Sequence, residues 1–240
     1  MYAIVLAGGK GERLRPFTED RPKPMVEIMG IPMLAYQLHW LRGQGITDVI
    51  ISCGYRHEVI EGYFGDRERL GLRICYDVEQ EPLGRGGGLR QALGQVPQDG
   101  DVVIATNGDV ITNLKLAPLL EVHRARDMLA TVVLTPFVSP YGIVEIDSDG
   151  RVTHFREKPE LPYWINAGIY VLSPAIRSHL PERGDHETTT FPALVLEGRL
   201  GGYKSQAYWR GVDTIKDVNE VALEMQHRLM AFFREGQTHR

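Results

Sequence analysis

Between residues 5 and 24 the chain reads VLAGGKGERLRPFTEDRPKP. Ala7, Gly8, Gly9 and Gly11 strip nearly every side chain from the end of a strand-like run. Arg13, Arg15, Arg21 and Lys23 follow within a few positions, stiffened by Pro16, Pro22 and Pro24. Bare amides beside packed cations suit a polyanion, because successive N–H groups form a nest for anionic oxygens. The Walker spacing G-x-x-x-x-G-K-[ST] is absent. The dinucleotide fingerprint G-x-G-x-x-G, begun at Gly9 and Gly11, meets Leu14 where its third glycine belongs. What remains is G-G-x-G-x-R, a different anion-binding turn. Further on, Asp109 follows Gly108 at the end of the run DVVIAT, where backbone can approach a ligand closely.

These residues need a frame. Strand-like runs at 3–7, 48–52, 72–77, 101–106 and 130–135 alternate with helix-like stretches at 33–44, 57–64, 87–93 and 115–126. Such alternation predicts right-handed crossovers and a mostly parallel central sheet in an α/β fold, with helices on both faces. Ligands of these sheets bind beyond the carboxyl ends of the strands, where the glycine turn and the NGD at 107–109 both fall. From residue 140 the pattern changes. GIVEID and RVTHFREK flank the turn SDG (148–150) and predict an antiparallel hairpin. WINAGIYVL (164–172) predicts another strand, and Ser173-Pro174 opens a short helix. Residues 214–234 carry helical spacing through Val218, Val221, Leu223, Met225, Leu229 and Phe232, and GQTHR reads as a frayed end.

The composition is that of an ordinary globular protein: 240 residues, 43% apolar, 24% charged. A net charge of -4 supplies no global basic field for nucleic acid or anionic membrane, so an anion must be captured locally. Cys53 and Cys75 are too few for a disulfide framework and read as buried, reduced thiols. Neither a signal-peptide pattern nor an apolar run of the ~20 residues that span a bilayer is present, so a cytoplasmic protein is expected.

The opening run resembles the signature of sugar nucleotidyltransferases, L-A-G-G-x-G-x-R-L-x-P followed by P-K-P-M. Here it stands as LAGGKGERLRP (6–16) and PKPM (22–25). The similarity continues through MVEIMGIPML, EPLG (81–84), NGD (107–109), EKP (157–159) and NAG (166–168). The resemblance implies a Rossmann-like three-layer sandwich with a small antiparallel sugar-binding part, forming one catalytic domain over 1–240. The nucleotide-binding part would take about 1–136 and the sugar-binding part about 137–240. The implied reaction joins a nucleoside triphosphate to a sugar 1-phosphate and releases pyrophosphate. Larger members add a C-terminal domain, not expected in this length, and a monomer or homo-oligomer is equally compatible.

Roles follow from the same resemblance. Displacement at the α-phosphorus depends on positioning and electrostatics, for which Leu6, Ala7, Gly8, Gly9 and Gly11 would cradle phosphates. Arg13 would grip the β and γ groups in a fork, and Lys23 would bridge the α-phosphate and the incoming sugar phosphate. Mg²⁺ would take Asp109 and one more carboxylate, with phosphate oxygens and water completing its shell. Most relatives read W-x-D-x-G-T near the C-terminus, whereas this chain reads WRGVDT (209–214), with Gly211 at the usual Asp position. The arrangement is similar to W-x-x-M-D-T of the cytidylyl branch, which carries the metal role to Asp213; the competing role for Asp213 is capping the following helix.

The base would meet the stretch 78–90, with Glu79, Pro82, Gly84 and Gly87 binding the nucleotide, as would Gly108. A carboxylate accepts only, matching the N1–H and N2–H₂ donors of guanine, so Glu79 and EPLG point to guanylyltransferases acting on mannose or heptose 1-phosphate. The GGGLR and WRGVDT segments leave cytidylyl, thymidylyl and uridylyl transfer open. Gly142, Glu157, Lys158 and Asn166 match family positions that contact the sugar. A polar Asn166 inside an apolar strand needs a partner in any case. A silent sugar-nucleotide-binding subunit is the reading from another class, and it would be expected to lose Arg13, Lys23 or the metal carboxylates.

Overall fold

The computed structural model describes residues 1–65, 70–97 and 101–235, with side chains to residue 226. In chain order, β1 (Tyr2–Leu6) leads into the glycine turn and is followed by a two-stranded ribbon, β2 (Glu27–Ile28) and β3 (Ile31–Pro32). Next come α1 (Met33–Gly43), β4 (Asp48–Cys53), α2 (His57–Phe64), β5 (Arg73–Val78) and α3 (Gly84–Leu93). β6 (Val103–Asn107), β7 (Val110–Thr112), α4 (Leu116–Ala125) and β8 (Ala130–Val138) complete the first part. The predicted hairpin is β9 (Ile143–Ile146) and β10 (Val152–Arg156). β11 (Glu160–Leu172), α5 (Thr190–Leu196), β12 (Leu200–Lys204), β13 (Trp209–Gly211) and α6 (Ile215–Glu235) close the chain.

Seven strands form the central sheet in the order β12-β8-β11-β6-β1-β4-β5. All neighbours pair in parallel except at β11, which runs antiparallel to both β8 and β6. Strand period accounts for the layers. Ala3 and Val5 of β1 face α1, α2 and α4 with Val49, Ile51 and Ile104, while Ile4 faces α3 and α5 with Ile50, Val103 and Ala105. Helices thus cover both faces of a mostly parallel sheet. α6 packs elsewhere, in a third cluster with Leu14, Val26, Met33 and Ile111.

Two elements differ from expectation. The strand expected at 164–172 extends back to Glu160 and enters the central sheet, because its apolar end, Ala167–Leu172, is buried on both faces. The helix expected at 87–93 begins at Gly84, because Gly86 and Gly87 donate to the carbonyl of Gly184 and dock this glycine-rich turn against the 182–186 loop. Ser173-Pro174 does open a short helix, a 3-10 turn over Pro174–His179. Residues 236–240, read as frayed, lie outside the described residues, as do the side chains of Leu229 and Phe232. Cys53 is buried and unpaired, and burial pushes its thiol up to about 12; Cys75 is also free.

Candidate active site

The site lies at the carboxyl ends of β1, β4, β5 and β6. After β1, the amide of Ala7 donates to Ser52 O at 2.7 Å, which ties the turn to β4. Gly11 has φ +67°, and a Cβ there would stand 2.7 Å from Lys23 Cβ. Only glycine lets the turn and the Lys23 segment pack together. A 3-10 turn over Glu12–Leu14 then buries Leu14 completely while leaving the Arg13 side chain exposed. Lys23 opens a second 3-10 turn, Lys23–Met25, held by Pro22 and Pro24. Gly108 donates to Leu6 O at 2.8 Å, and a Cβ on it would meet that oxygen and Pro24 Cγ, each at 2.8 Å. Strand β1, the PKP turn and the NGD turn are thereby pressed into one another.

Four charged side chains converge there. Lys23 Nζ donates to Asp109 Oδ2 at 2.5 Å and to Asp213 Oδ1 at 2.6 Å, and Arg13 Nη2 reaches the same Asp213 oxygen at 2.7 Å. The Lys23 side chain is 12% exposed, against 71% for Arg13, so Lys23 is the fixed cation and Arg13 the solvated one. The register explains why an Asp at 213 arrives. β13 pairs antiparallel with β7, Gly211 opposite Val110, and Val212 N donates to Asp109 O at 3.0 Å. The chain then brings Asp213 beside Asp109.

The capping alternative for Asp213 fails on geometry. The start of α6 is closed by Thr214 and Asp217, a reciprocal capping box. Asp217 Oδ2 accepts from the amides of Asp213 and Thr214, while Thr214 Oγ1 accepts from Asp217 N. The Asp213 carboxylate is left to the cations. Two carboxylates converging on one ammonium are the hard oxygen donors a small divalent cation uses, so this pair fits a divalent metal ion. Among the described residues no group of three or more His, Cys, Asp or Glu could hold a metal, so remaining ligands would come from substrate and water.

Two concavities meet at this cluster. One, of about 280 Å³, is lined by Leu6, Gly8, Gly9, Glu79, Pro82, Gly84 and Gly108 among the predicted nucleotide residues. Ala7 is buried beside it, and Gly11 lines the second concavity instead. Gly87 reaches neither: a Cβ there would lie 2.5 Å from Glu182 O, so its absence serves helix packing. Glu79 is held by the amide of Leu83 at 3.0 Å and by Ser52 Oγ at 3.5 Å. Burial raises its carboxyl above the usual range, opposed by those hydrogen bonds. Gly88 makes room for it, since a Cβ there would sit 2.4 Å from Glu79 Oε1.

The second concavity, of about 930 Å³, takes in Arg13, Lys23, Asp109, Asp213 and Asn166. Gly9, Lys23, Arg85, Asn107 and Asp109 line both spaces, so the charged cluster sits at their junction. Asn166 spends its amide within the protein: Nδ2 donates to Tyr170 OH at 3.0 Å and Glu187 Oε1 at 2.7 Å, and Oδ1 accepts from Gly168 N at 2.8 Å. Its polar partner is thus a bulge in β11 and a neighbouring acid, not an open position. Gly142, Glu157 and Lys158 do not line the cleft. Glu157 packs by Gly142, where a Cβ would be 3.0 Å from Oε2, and Lys158 is exposed with φ 44°. Sequence reasoning gave no role to Glu187, which pairs with Arg85 at 2.7 Å along the wall of the larger cleft. Arg85 also takes Asp185 at 2.6 Å. The only sequence signal for this wall was an Arg set among glycines.

Comparison with known proteins places the chain in a family. Residues 2–237 match the family described as Nucleotidyl transferase, and the chain belongs to that family. It is 40% identical over 223 residues to a mannose-1-phosphate guanylyltransferase of Mycobacterium tuberculosis, covering 90% of this chain and 62% of that protein. It is 37% identical over 232 residues to a D-glycero-alpha-D-manno-heptose 1-phosphate guanylyltransferase of Aneurinibacillus thermoaerophilus, covering 95% and 99%. The fold is similar to crystalline HddC from Yersinia pseudotuberculosis complexed with GMP-PN, with TM-score 0.73, 26% identity and coverage of 93% and 99%. No described helix is long and apolar enough to cross a membrane.

Proposed function

We propose that this chain transfers GMP from GTP to a mannose- or heptose-type sugar 1-phosphate, giving a GDP-sugar and pyrophosphate. The observation that carries the reading is the Arg13–Lys23–Asp109–Asp213 cluster at the junction of two concavities. In this reading the nucleotide fills the smaller space and the sugar phosphate enters the larger one. An oxygen of the sugar phosphate attacks the α-phosphorus, and the bond to the bridging oxygen of pyrophosphate breaks. Lys23 leaves the carboxylates to neutralise the reacting phosphates, and the exposed Arg13 clasps the departing pyrophosphate. Asp109 and Asp213 would hold Mg²⁺, which supplies charge stabilisation on the phosphate oxygens.

Residues up to about 136 serve the nucleotide side and the remainder the sugar side, with Asp213 returning to the metal. Guanine is supported by the acceptor-only Glu79 at the smaller cavity and by relatives named for guanylyl transfer. A silent binding subunit has no need of two cations and two carboxylates held together. The nucleotide substrates assign the work to the cytoplasm. The test is pyrophosphate release over a grid of GTP, ATP, CTP, UTP and dTTP against mannose, glucose and heptose 1-phosphates. Turnover confined to another base overturns the guanylyl assignment, and no turnover in any pair overturns the reaction.

A further inference from the structure

We propose that Gln37, a buried amide on α1, is a positioning residue that sets the Asp109 carboxylate by stapling both ends of its turn. The inference rests on the nucleotidyl-transfer reading above. Gln37 is 2% exposed, and its Nε2 donates to Asn107 O at 2.5 Å and to Val110 O at 2.9 Å. Those carbonyls belong to the residues on either side of Gly108–Asp109, so both hydrogens of one amide are spent on one turn.

The cost of that placement is visible. Gln37 Oε1 is buried without a hydrogen-bond partner, which an apolar residue of similar size would avoid. The reversed amide would press Oε1 against two carbonyl oxygens, so the turn dictates the orientation. Helix α1 also starts from the other half of the ion cluster: Met33 N donates to Val26 O at 3.0 Å, one residue beyond the Lys23–Met25 turn. One rigid helix therefore carries a tie to the Lys23 segment at its first residue and a tie to the Asp109 turn one helical turn later. That fixes the two partners of the Lys23–Asp109 pair in a common frame, where a displacement of about 1 Å is enough to impair phosphoryl transfer.

The experiment uses the full chain with Gln37→Met, which removes both donors at similar volume, and Leu38→Ala as a core-truncation control. Amide exchange over residues 107–112, Mn²⁺ binding in the presence of GTP, and kcat and KM are measured. Gln37→Met should exchange about tenfold faster over that segment and bind Mn²⁺ several-fold more weakly. Its kcat should fall about tenfold or more, with KM for the sugar phosphate unchanged within about twofold. Leu38→Ala should lower Tm without this pattern. Gln37→Glu fills the same space and donates only when protonated, and then through one O–H to one carbonyl, so its kcat should recover in part as pH falls where the parent's does not. Parent-like exchange and kcat in Gln37→Met, or changes merely paralleling Leu38→Ala, overturn the inference. If the parent releases no pyrophosphate from any triphosphate and sugar 1-phosphate of the grid, the reaction reading fails, while exchange and Mn²⁺ binding still judge Gln37.

Discussion

Replacing Asp213 by Asn tests the part of the site where this chain departs from the commoner pattern of its relatives. The free cluster is balanced, two cations against two carboxylates, and Asp213 Oδ1 serves both Lys23 and Arg13. Asn removes one negative charge at nearly constant shape. Unit charges about 4 Å apart interact by about 4 kcal/mol at an effective dielectric near 20. The Asp213 side chain is 44% exposed, so water recovers half or more of that, leaving about 1.5–2 kcal/mol. Half-saturating Mg²⁺ should therefore rise about 10- to 30-fold in a pyrophosphate-release assay at saturating GTP. The melting temperature should hardly move, because Thr214 and Asp217 cap α6, the Arg13 pair is largely solvated and Lys23 keeps its pair with Asp109. Asp217→Ala supplies the contrast, losing about 1 kcal/mol of stability with a normal magnesium curve. An unchanged magnesium curve in Asp213→Asn refutes the reasoning and returns the second ligand position to water or another acid.

Three further outcomes are expected. Lys23→Met should lower kcat by orders of magnitude with circular dichroism unchanged; near-parental turnover removes Lys23 from the chemistry. Glu79→Gln keeps one oxygen for Leu83 N and turns an NH₂ towards the cavity, so GTP use should fall by about 1–3 kcal/mol more than UTP or dTTP use; equal losses for all bases dismiss Glu79 as the reader. His123 and His186 are buried and held below the ordinary histidine value by desolvation. A depressed value means the unfolded chain binds their protons first, so stability is full above about pH 6.5. As pH falls through that value the free energy of unfolding read from urea titrations should drop, by up to about 1.4 kcal/mol per pH unit for each histidine. A flat profile between pH 7 and 5.5 contradicts this.

The glycine turn, Arg13, Lys23 and Asp109 were legible because their signals are local: small residues, prolines and cations within twenty positions, and an Asp after a glycine at a strand end. The parallel layers were legible because strand-like runs and helix-like stretches alternate along the first half of the chain. Asp213 was half legible. Its spacing pointed to the metal and also to a cap; the β7–β13 register brings it beside Asp109, and the Thr214–Asp217 box takes the cap. The capping box itself stood in the sequence as Thr214-x-x-Asp217 and drew no notice beside the more prominent Asp.

What was not legible depends on distance along the chain. Gln37 meets carbonyls 70 and 73 residues away, and the pairs Arg85–Asp185 and Arg85–Glu187 span about a hundred residues. No periodicity announces such contacts. Asn166 shows the converse: need for a partner was read correctly, but β11 bends between Asn166 and Tyr170, and the bulge supplies the partners from within. Gly87 repeats the lesson in backbone form. A glycine beside a cavity can be there for the ligand or for the helix behind it, and the carbonyl of Glu182 decides for the helix. The residues proposed to touch substrate are thus written in short motifs, whereas those that hold them still are written in the tertiary fold. A search for further determinants of this site belongs among the buried amides and acids just behind the cleft.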